Sequence, residues 1–270
     1  MVGDRSIGVF DSGLGGLTVA RAVLDLLPRE AVTYFGDTAR SPYGPRRVEE
    51  IRGFAREIAS LLLARDVKML VVACNSIEVA AIDHLTQPEG VPVVGVIDPG
   101  VRAALRVTRS GRIGVIGTEA TIASGAYQRA VAGADASVRL EAAACPAFVP
   151  AVERGDTTSE ELRTLARSYL APLAGVDALI LGCTHYPFLS GLIQEVVGRD
   201  VVLVSSAQET AKDVYAALHG AGLLRQAEGI PRHTFLCSGD PASFLELGSR
   251  FLGPELLEVR RAGVREAAWT

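Results

Sequence analysis

Short runs of aliphatic residues alternate with amphipathic segments along most of the chain. The aliphatic runs are rich in valine and isoleucine, and the segments between them place apolar residues at helical spacing. Nearly continuous apolar strands separated by helices are typical of parallel sheets covered on both faces, so the pattern predicts an α/β fold. The predicted strands are residues 6–10, 32–36, 68–73, 91–96, 111–116, 138–142, 178–181, 201–204 and 233–236, and the clearest predicted helices are 16–27, 48–65 and 160–173.

The pattern contains a short internal repeat. An Ile-Gly-Val run begins at Ile7 and again at Ile113, and each run leads into a polar turn. A later strand in each half ends in a cysteine: Cys74 lies 67 positions after Ile7, and Cys183 lies 70 positions after Ile113. The repeat predicts two similar lobes, each a mostly parallel sheet flanked by helices with one cysteine at a strand end. Lobes that face each other would place the two thiols on opposite walls of one cleft.

Composition narrows the class of function. The 270 residues are 49% hydrophobic and 21% charged, as expected of a packed globular protein. A net charge of -4 argues against a large basic surface that binds nucleic acid. We find no apolar run long enough to cross a membrane and no signal-peptide pattern at the N-terminus, so we expect a cytoplasmic protein that does not bind membranes.

The cysteines and lysines limit the cofactors. The four cysteines, Cys74, Cys145, Cys183 and Cys237, form no Cys-x-x-Cys pair, and the spacing of Cys183 and His185 is weak evidence for a metal. Pyridoxal phosphate needs a Schiff-base lysine, but Lys68 precedes a strand and Lys212 lies within a helix. We therefore expect free thiols, no metal and no cofactor.

Cys74 and Cys183 are the strongest candidates for chemistry. Each ends an apolar strand and is followed by small polar residues before a helix, where a thiolate is stabilised. Such cysteines can also be plain buried residues, but their recurrence favours a function. A pair of cysteines can remove a proton from one face of a carbon with a thiolate and deliver a proton to the other face from a thiol. This is the chemistry of an amino-acid racemase.

Other turns leave their roles open. The Asp11–Gly16 turn can bring backbone N–H groups close to an anion, or it can be a tight turn that starts a helix. His185 can relay a proton to the thiol two residues before it. Tyr43 lies in a Pro- and Gly-containing loop, where it can be a lid or a packing residue.

From residue 7 to about residue 252, the chain resembles the cofactor-independent aspartate/glutamate racemase family, and within it the glutamate racemases. The resemblance rests on several motifs in one order. They are Gly8-Val-Phe-Asp-Ser-Gly-Leu-Gly-Gly-Leu-Thr18, Gly36-Asp37, Pro42-Tyr43-Gly44, Ala73-Cys74-Asn75-Ser76, Gly114-Val-Ile-Gly-Thr118 with Thr121, Val152-Glu153-Arg-Gly155, and Leu181-Gly-Cys-Thr-His-Tyr-Pro187.

The resemblance implies interconversion of L- and D-glutamate, with the D-isomer supplying peptidoglycan synthesis. It implies two lobes, residues 1–97 with 208–270 and residues 98–207, with the site between them, and commonly a homodimer. It assigns one enantiomer to Cys74, assisted by Asp11 and Glu153, and the other to Cys183, assisted by His185. The implied substrate-binding residues are Asp11, Ser12, Pro42, Tyr43, Gly44, Asn75, Ser76, Thr121, Thr184 and His185.

One segment departs from the family. Small residues usually follow the first cysteine motif, whereas here Ile77 and Glu78 follow Ser76. A charge at Glu78 favours the start of a helix, but it can also repel a substrate carboxylate or raise the pKa of Cys74. The alternative is that both side chains point away from the pocket. Our hypothesis is that Ile77→Ala with Glu78→Ser changes the Michaelis constant for glutamate.

Two rival functions fit parts of the pattern. A related aspartate or hydantoin racemase, or an arylmalonate decarboxylase, shares the paired-lobe plan, although such a decarboxylase needs only the second thiol. A binding or regulatory protein on the same scaffold, such as the gyrase-interacting members of the family, should tolerate Cys→Ser at both positions. The chain has no long extension before its first strand, which argues against activation by a cell-wall precursor.

Overall fold

The computed structural model describes residues 2–85 and 90–263. Contacts divide the chain into two compact units: unit 1 contains residues up to Val96 and from Ala207 onward, and unit 2 contains Ile97–Ser206. The strands in chain order are β1 (Ile7–Asp11), β2 (Val32–Gly36), β3 (Met69–Val72), β4 (Val93–Val94), β5 (Arg112–Gly117), β6 (Arg139–Ala144), β7 (Ala178–Gly182), β8 (Val202–Val204), β9 (Thr234–Cys237) and β10 (Arg260–Arg261).

The α-helices alternate with these strands. In chain order they are α1 (Leu17–Leu26), α2 (Val48–Leu63), α3 (Asn75–Ala81), α4 (Ile97–Val107), α5 (Glu119–Ala123), α6 (Ala126–Ala134), α7 (Phe148–Glu153), α8 (Glu160–Leu170), α9 (Ser190–Val197), α10 (Ala207–Gly220) and α11 (Pro241–Leu252). Short 3₁₀ helices cover Val2–Asp4, Ile82–His84, Ala171–Leu173, Tyr186–Leu189 and Gly253–Glu255. No helix among the described residues is long and apolar enough to span a bilayer.

Unit 1 is built on a six-stranded sheet in the order β10-β9-β2-β1-β3-β4, and every pairing is parallel. Both faces of β1 and β2 are buried, which explains why they read as continuous apolar runs. α1 packs against α10 and α11, with Leu17, Ala20 and Leu24 of α1 buried at helical spacing. The segment after residue 206 therefore completes the sheet that the N-terminal segment begins.

Unit 2 is built on a four-stranded parallel sheet in the order β6-β5-β7-β8. β7 is fully buried, and α4 packs against it. α8 and α9 pack against each other. The predicted α/β class with parallel sheets flanked by helices is thus confirmed.

Most predicted boundaries shift by no more than two residues, and three differences are larger. The apolar pattern does not predict β10, which pairs Arg260 and Arg261 with β9, because these two arginines are exposed. β4 is only two residues long, although the apolar run covers 91–96. The helix predicted for 160–173 ends at Leu170 and continues as a 3₁₀ turn, since Pro172 lacks the N–H that an α-helix needs.

Candidate active site

In unit 1, polar side chains collect at the carboxyl ends of three neighbouring strands. β2, β1 and β3 lie side by side and run in the same direction. The turns that follow them begin with Asp37, Ser12 and Ala73-Cys74, respectively. Because the carboxyl ends of parallel strands meet at one edge, these turns share one edge of the sheet, where open α/β sheets place their ligands.

Cys74 is the residue that caps the start of α3. Its thiol is buried, and its sulfur lies 3.6 Å from the Ser12 hydroxyl. Burial and, to a smaller extent, the nearby Asp11 carboxylate raise the pKa of Cys74 to about 12, although hydrogen bonds from Ser12 and the backbone N–H of Ile77 act in the opposite direction. The thiol is therefore the dominant form at neutral pH.

The Asp11–Gly16 turn is held by its own contacts. The backbone N of Gly13 donates to Asp11 Oδ1 at 2.7 Å, and the buried Tyr34 hydroxyl donates to the Gly13 carbonyl at 3.0 Å. At Gly16, an ideal Cβ would lie only 2.5 Å from the Asp11 Cβ, so this position requires glycine. The turn is a tight helix start, and it also brings Ser12 to the first thiol.

Asp37 organises the loop that carries Pro42, Tyr43 and Gly44. Its buried carboxylate accepts hydrogen bonds from the Tyr43 hydroxyl and from Arg40 Nε on one oxygen, and from the Ser238 hydroxyl at 2.6 Å on the other. The Tyr43 ring is buried and packs against Phe54 at 5.4 Å between centroids. Burial and Asp37 raise the pKa of Tyr43. The Tyr43 side chain is therefore fixed by packing, and its loop leaves Pro42 exposed and Gly44 half-buried.

In unit 2, the neighbouring strands β5 and β7 end in the same way. Thr118 follows β5 and caps α5, accepting from the backbone N of Thr121 at 3.3 Å. The two threonine hydroxyls lie 3.0 Å apart. Cys183 and Thr184 follow β7, and both are buried. The adjacent strands thus bring a thiol and several hydroxyls to one edge of the second sheet.

Cys183, His185 and Glu153 form a chain of contacts. The Cys183 sulfur lies 3.9 Å from His185 Nδ1, and His185 Nε2 lies 3.4 Å from Glu153 Oε1. His185 is buried, whereas Glu153 is half-buried at the end of α7. The two ring nitrogens thus face different groups, the Glu153 carboxylate at Nε2 and the sulfur at Nδ1, an arrangement in which the imidazole can take up the proton of the thiol. The resemblance assigned Glu153 to the first thiol; its contact in unit 2 is with the histidine of the second.

Aromatic packing supports the turn of the second thiol. The Tyr186 hydroxyl donates to the Cys145 carbonyl at 3.0 Å, and the Phe148 ring packs edge-on against the Tyr186 ring. Burial and, to a smaller extent, the nearby Cys183 raise the pKa of Cys145 to about 12. Cys145 follows β6, which pairs with β5 on the side away from β7. Its buried thiol donates to the Ala143 carbonyl at 4.0 Å, so Cys145 is a packed neighbour of the second thiol.

The structure places the predicted residues in two sets, one in each unit. Unit 1 holds Asp11, Ser12, Pro42, Tyr43, Gly44, Cys74, Asn75 and Ser76, and unit 2 holds Thr121, Glu153, Cys183, Thr184 and His185. Asn75 and Ser76 are buried in the first turn of α3. Asp37, Arg40 and Thr118 also belong to these strand-end clusters but are absent from the predicted set. In the sequence, Asp37 and Thr118 each follow a strand and lie within motifs of the family resemblance, Gly36-Asp37 and Gly114-Val-Ile-Gly-Thr118.

The described residues do not include a cluster of metal ligands or a lysine that is well placed to bind pyridoxal phosphate. Among residues 2–85 and 90–263, no three His, Cys, Asp or Glu side chains cluster as metal ligands do. Lys68 is buried in an ion pair with Glu30 at the amino-terminal end of β3, and Lys212 pairs with Glu209 on α10. Both lysines are thus held in ion pairs, and Lys68 lies at the edge of its sheet opposite to Cys74.

Known proteins resemble this chain in both sequence and length. The Asp/Glu/hydantoin racemase family matches residues 7–214. The glutamate racemase of Beutenbergia cavernae is 54% identical over 96% of this chain and 93% of its own. The glutamate racemase of Mycobacterium leprae is 52% identical over 95% of each chain. These matches cover nearly the whole of both chains.

Solved structures of glutamate racemases also resemble this chain over nearly its whole length. The glutamate racemase of Francisella tularensis, solved in complex with D-glutamate, has a TM-score of 0.91 at 33% identity and covers 98% of this chain and 100% of its own. The glutamate racemase of Thermus thermophilus, solved in complex with β-chloro-D-alanine, has a TM-score of 0.87 at 47% identity and covers 98% and 99%. The backbone is therefore shared over nearly its full length.

Proposed function

Since this chain belongs to the Asp/Glu/hydantoin racemase family, we propose that it interconverts L- and D-glutamate by proton transfer between two cysteine thiols. Its relatives support glutamate as the substrate, because those named glutamate racemase match nearly the entire chain at about half identity. The observation that carries the mechanism is the pair of strand-end thiols. Each sheet ends an interior strand in a buried cysteine, and each cysteine has polar partners suited to moving a proton.

The reaction needs one thiolate and one thiol. The thiolate removes the α-proton, and the thiol of the other cysteine delivers its own proton to the opposite face of the planar carbanion. The product is the enantiomer, and the two sulfurs have exchanged protonation states. The proposal requires both sulfurs to reach the same α-carbon.

At Cys74, bound substrate has to favour the thiolate. In the free protein, burial and Asp11 hold the pKa of Cys74 at about 12. The α-ammonium of an amino acid bound beside Asp11 offsets the negative charge of that carboxylate and stabilises the thiolate. Deprotonation is then coupled to binding, which protects the thiol from reaction in the free enzyme.

At Cys183, the proton relay is built into the protein. His185 accepts the thiol proton at Nδ1 in one direction and returns it in the other, while Glu153 stabilises the imidazolium through Nε2. We assign Glu153 to this role. The unequal partners of the two thiols fit a reaction in which each thiol deprotonates a different enantiomer.

We further propose that the substrate is held by short polar side chains and by the loop of Tyr43. Hydroxyl and amide groups at strand ends donate to carboxylates and to the charge that develops at the α-carbon. The proposed binding residues are Asp11, Ser12, Pro42, Tyr43, Gly44, Asn75, Ser76, Thr121, Thr184 and His185. In the cell, we propose a cytoplasmic homodimer whose D-glutamate supplies peptidoglycan synthesis.

The test follows the α-proton directly. The purified protein is incubated with D-glutamate in deuterated water without added cofactor, and NMR measures loss of the α-proton while circular dichroism measures inversion. Wild type is compared with Cys74→Ser and Cys183→Ser. Cys237→Ser and Cys145→Ser are the matched controls, because each replaces another buried cysteine of the same unit.

We expect inversion in the wild type and both controls, and its loss in either variant of the proposed thiols. Inversion that survives Cys74→Ser or Cys183→Ser would refute the two-thiol mechanism. Aspartate is assayed in parallel, because it is shorter by one methylene, a difference that alone changes specificity only modestly. Inversion of aspartate but not glutamate would overturn the substrate assignment.

A further inference from the structure

Glu78 places a buried carboxylate in the first turn of α3, the helix that begins directly after Cys74. Glu78 Oε2 accepts a hydrogen bond at 2.5 Å from the backbone N of Val96, a fully buried residue. The carboxylate lies against Gly95, where an ideal Cβ would overlap Glu78 Oε1. Val96 is the last residue of unit 1 before the chain enters α4. The side chain therefore joins α3 to the end of the β4 segment.

α3 depends on such anchors because it is short. Seven residues form about two turns, and a helix of this length is not stable by its own hydrogen bonds. Besides its apolar packing, α3 is tied to its surroundings by Glu78 and by Arg52 of α2, whose Nε donates to the Ala80 carbonyl at 3.1 Å. One anchor holds the first turn and the other holds the last.

The first turn of α3 is also the turn that contacts the thiol. The backbone N–H of Ile77 lowers the pKa of Cys74 by hydrogen bonding to its sulfur. Glu78 is the next residue, and its own backbone N donates to the Cys74 carbonyl at 2.9 Å. Any movement of Glu78 relative to the sheet is therefore transmitted to the backbone of Cys74.

We infer that Glu78 is a positioning residue for the first thiol: its carboxylate holds the first turn of α3 against the Val96 backbone, and its own backbone N–H, bonded to the Cys74 carbonyl, fixes Cys74 to that turn. The inference rests on the proposed two-thiol racemisation for its catalytic consequence. In this role, the Glu78 carboxylate acts as a hydrogen-bond acceptor for the backbone N–H of Val96.

Three substitutions separate the acceptor from the charge. Glu78→Gln keeps an acceptor oxygen at the same distance from the backbone, so it should retain activity close to that of the wild type. Glu78→Ala removes the acceptor. Gly95→Ala keeps the carboxylate but places a methyl group where its oxygen lies. We expect the last two each to lower kcat/KM by about 10- to 100-fold, as small misplacements of reacting groups do.

Isotope effects show whether the lower kcat/KM results from a slower proton transfer at Cys74. The enantiomers have equal free energy, so kcat/KM must fall equally in both directions and cannot by itself identify the impaired thiol. A slower Cys74 step makes removal of the α-proton more rate-limiting for the enantiomer that Cys74 deprotonates, and less so for the other. In Glu78→Ala, the primary deuterium effect on kcat/KM should therefore rise for one α-deuterated enantiomer and fall for the other.

The matched control is Glu30→Ala. Glu30 is also a buried glutamate of unit 1, but it pairs with Lys68 at the opposite edge of the sheet from Cys74. Its loss should destabilise the protein while leaving both isotope effects unchanged, as expected when only the fraction of folded enzyme falls. A second check is a double-mutant cycle, in which Gly95→Ala should cause no further loss in the Glu78→Ala background.

Hydrogen exchange tests the anchor without requiring any activity. Mass spectrometry should show faster amide exchange in peptides covering 74–81 for Glu78→Ala and Gly95→Ala, but not for Glu78→Gln or Glu30→Ala. Unchanged exchange in this segment, or isotope effects that move together for both enantiomers, would overturn the inference. If wild type itself did not invert glutamate, the proposed function would fail, whereas the exchange data would still support or refute the anchor.

Discussion

Gly16→Ala should impair the candidate site by steric overlap alone. Gly16 has φ -61° and ψ -13°, a conformation that alanine adopts freely, so no backbone strain is introduced. The added Cβ, however, would lie 2.5 Å from the Asp11 Cβ, 2.9 Å from the Ala73 Cβ and 2.9 Å from the Tyr34 hydroxyl. Ala73 immediately precedes Cys74, so the overlap falls on the supports of the first thiol.

The size of the effect follows from these distances. Carbon atoms pack at about 3.5–4.0 Å, so the turn and the strand ends must separate by about 1 Å. Overpacking of this kind costs about 1–3 kcal/mol of folding free energy. The same displacement at reacting groups lowers kcat/KM by about 100-fold. Activity should therefore fall more than stability.

Gly53→Ala is the matched control for this substitution. Gly53 lies in the interior of α2, is exposed, and has no heavy atom within 4 Å of an ideal Cβ. Alanine there should stabilise the helix by about 0.5–1 kcal/mol and leave activity unchanged. Urea unfolding gives the stability of both variants, and the circular dichroism assay of glutamate inversion gives kcat/KM. Wild-type activity and stability in Gly16→Ala would refute the steric argument.

Three further results are expected. Lys68→Met removes the partner of buried Glu30 and also the donor to the Gly3 and Leu223 carbonyls. Urea unfolding should therefore show that the free energy of unfolding falls by about 3–5 kcal/mol. A loss no larger than that of Arg260→Ala, which breaks an exposed ion pair, would contradict this. His185→Asn removes the ionisable partner of Cys183 and should lower kcat by about 10²–10⁴, with an unchanged kcat arguing against the relay. Burial acts to raise the pKa of Asp177, but donors from Thr108, Arg109 and Ser110 together outweigh it and lower the pKa to about 2 from 3.8. The stabilising contribution of Asp177 is therefore complete above pH 3.8 and disappears as the pH falls through 2. Asp177→Asn should therefore be less stable than wild type at pH 7 and approach it near pH 2; a difference independent of pH would exclude this cause.

Most elements of the fold were predictable because their signals are local. The runs at 32–36 and 178–181 are buried on both faces, and the structure has strands there at Val32–Gly36 and Ala178–Gly182. β10 carried no such signal, because its two arginines are exposed and only its backbone pairs with β9. An edge strand of this kind is defined by its neighbour rather than by its own side chains.

The candidate site was predictable in its residue types but not in its contacts. Cys74 and Cys183 stand out in the sequence because each ends an apolar strand and precedes polar residues. The Asp37 carboxylate, by contrast, accepts from Ser238, a hydroxyl 201 residues away. Similarly, nothing in the sequence indicates that Glu153 meets His185.

The order of strands and helices, the two strand-end cysteines and the family motifs follow from the sequence, because periodic burial and turn chemistry act between residues close in the chain. Contacts between distant segments, by contrast, bring the Glu78 carboxylate to the Val96 backbone and pack the Tyr43 ring against Phe54. The physical reason is that a buried polar group must find a partner, and sheet order, not sequence distance, decides which partner lies within reach.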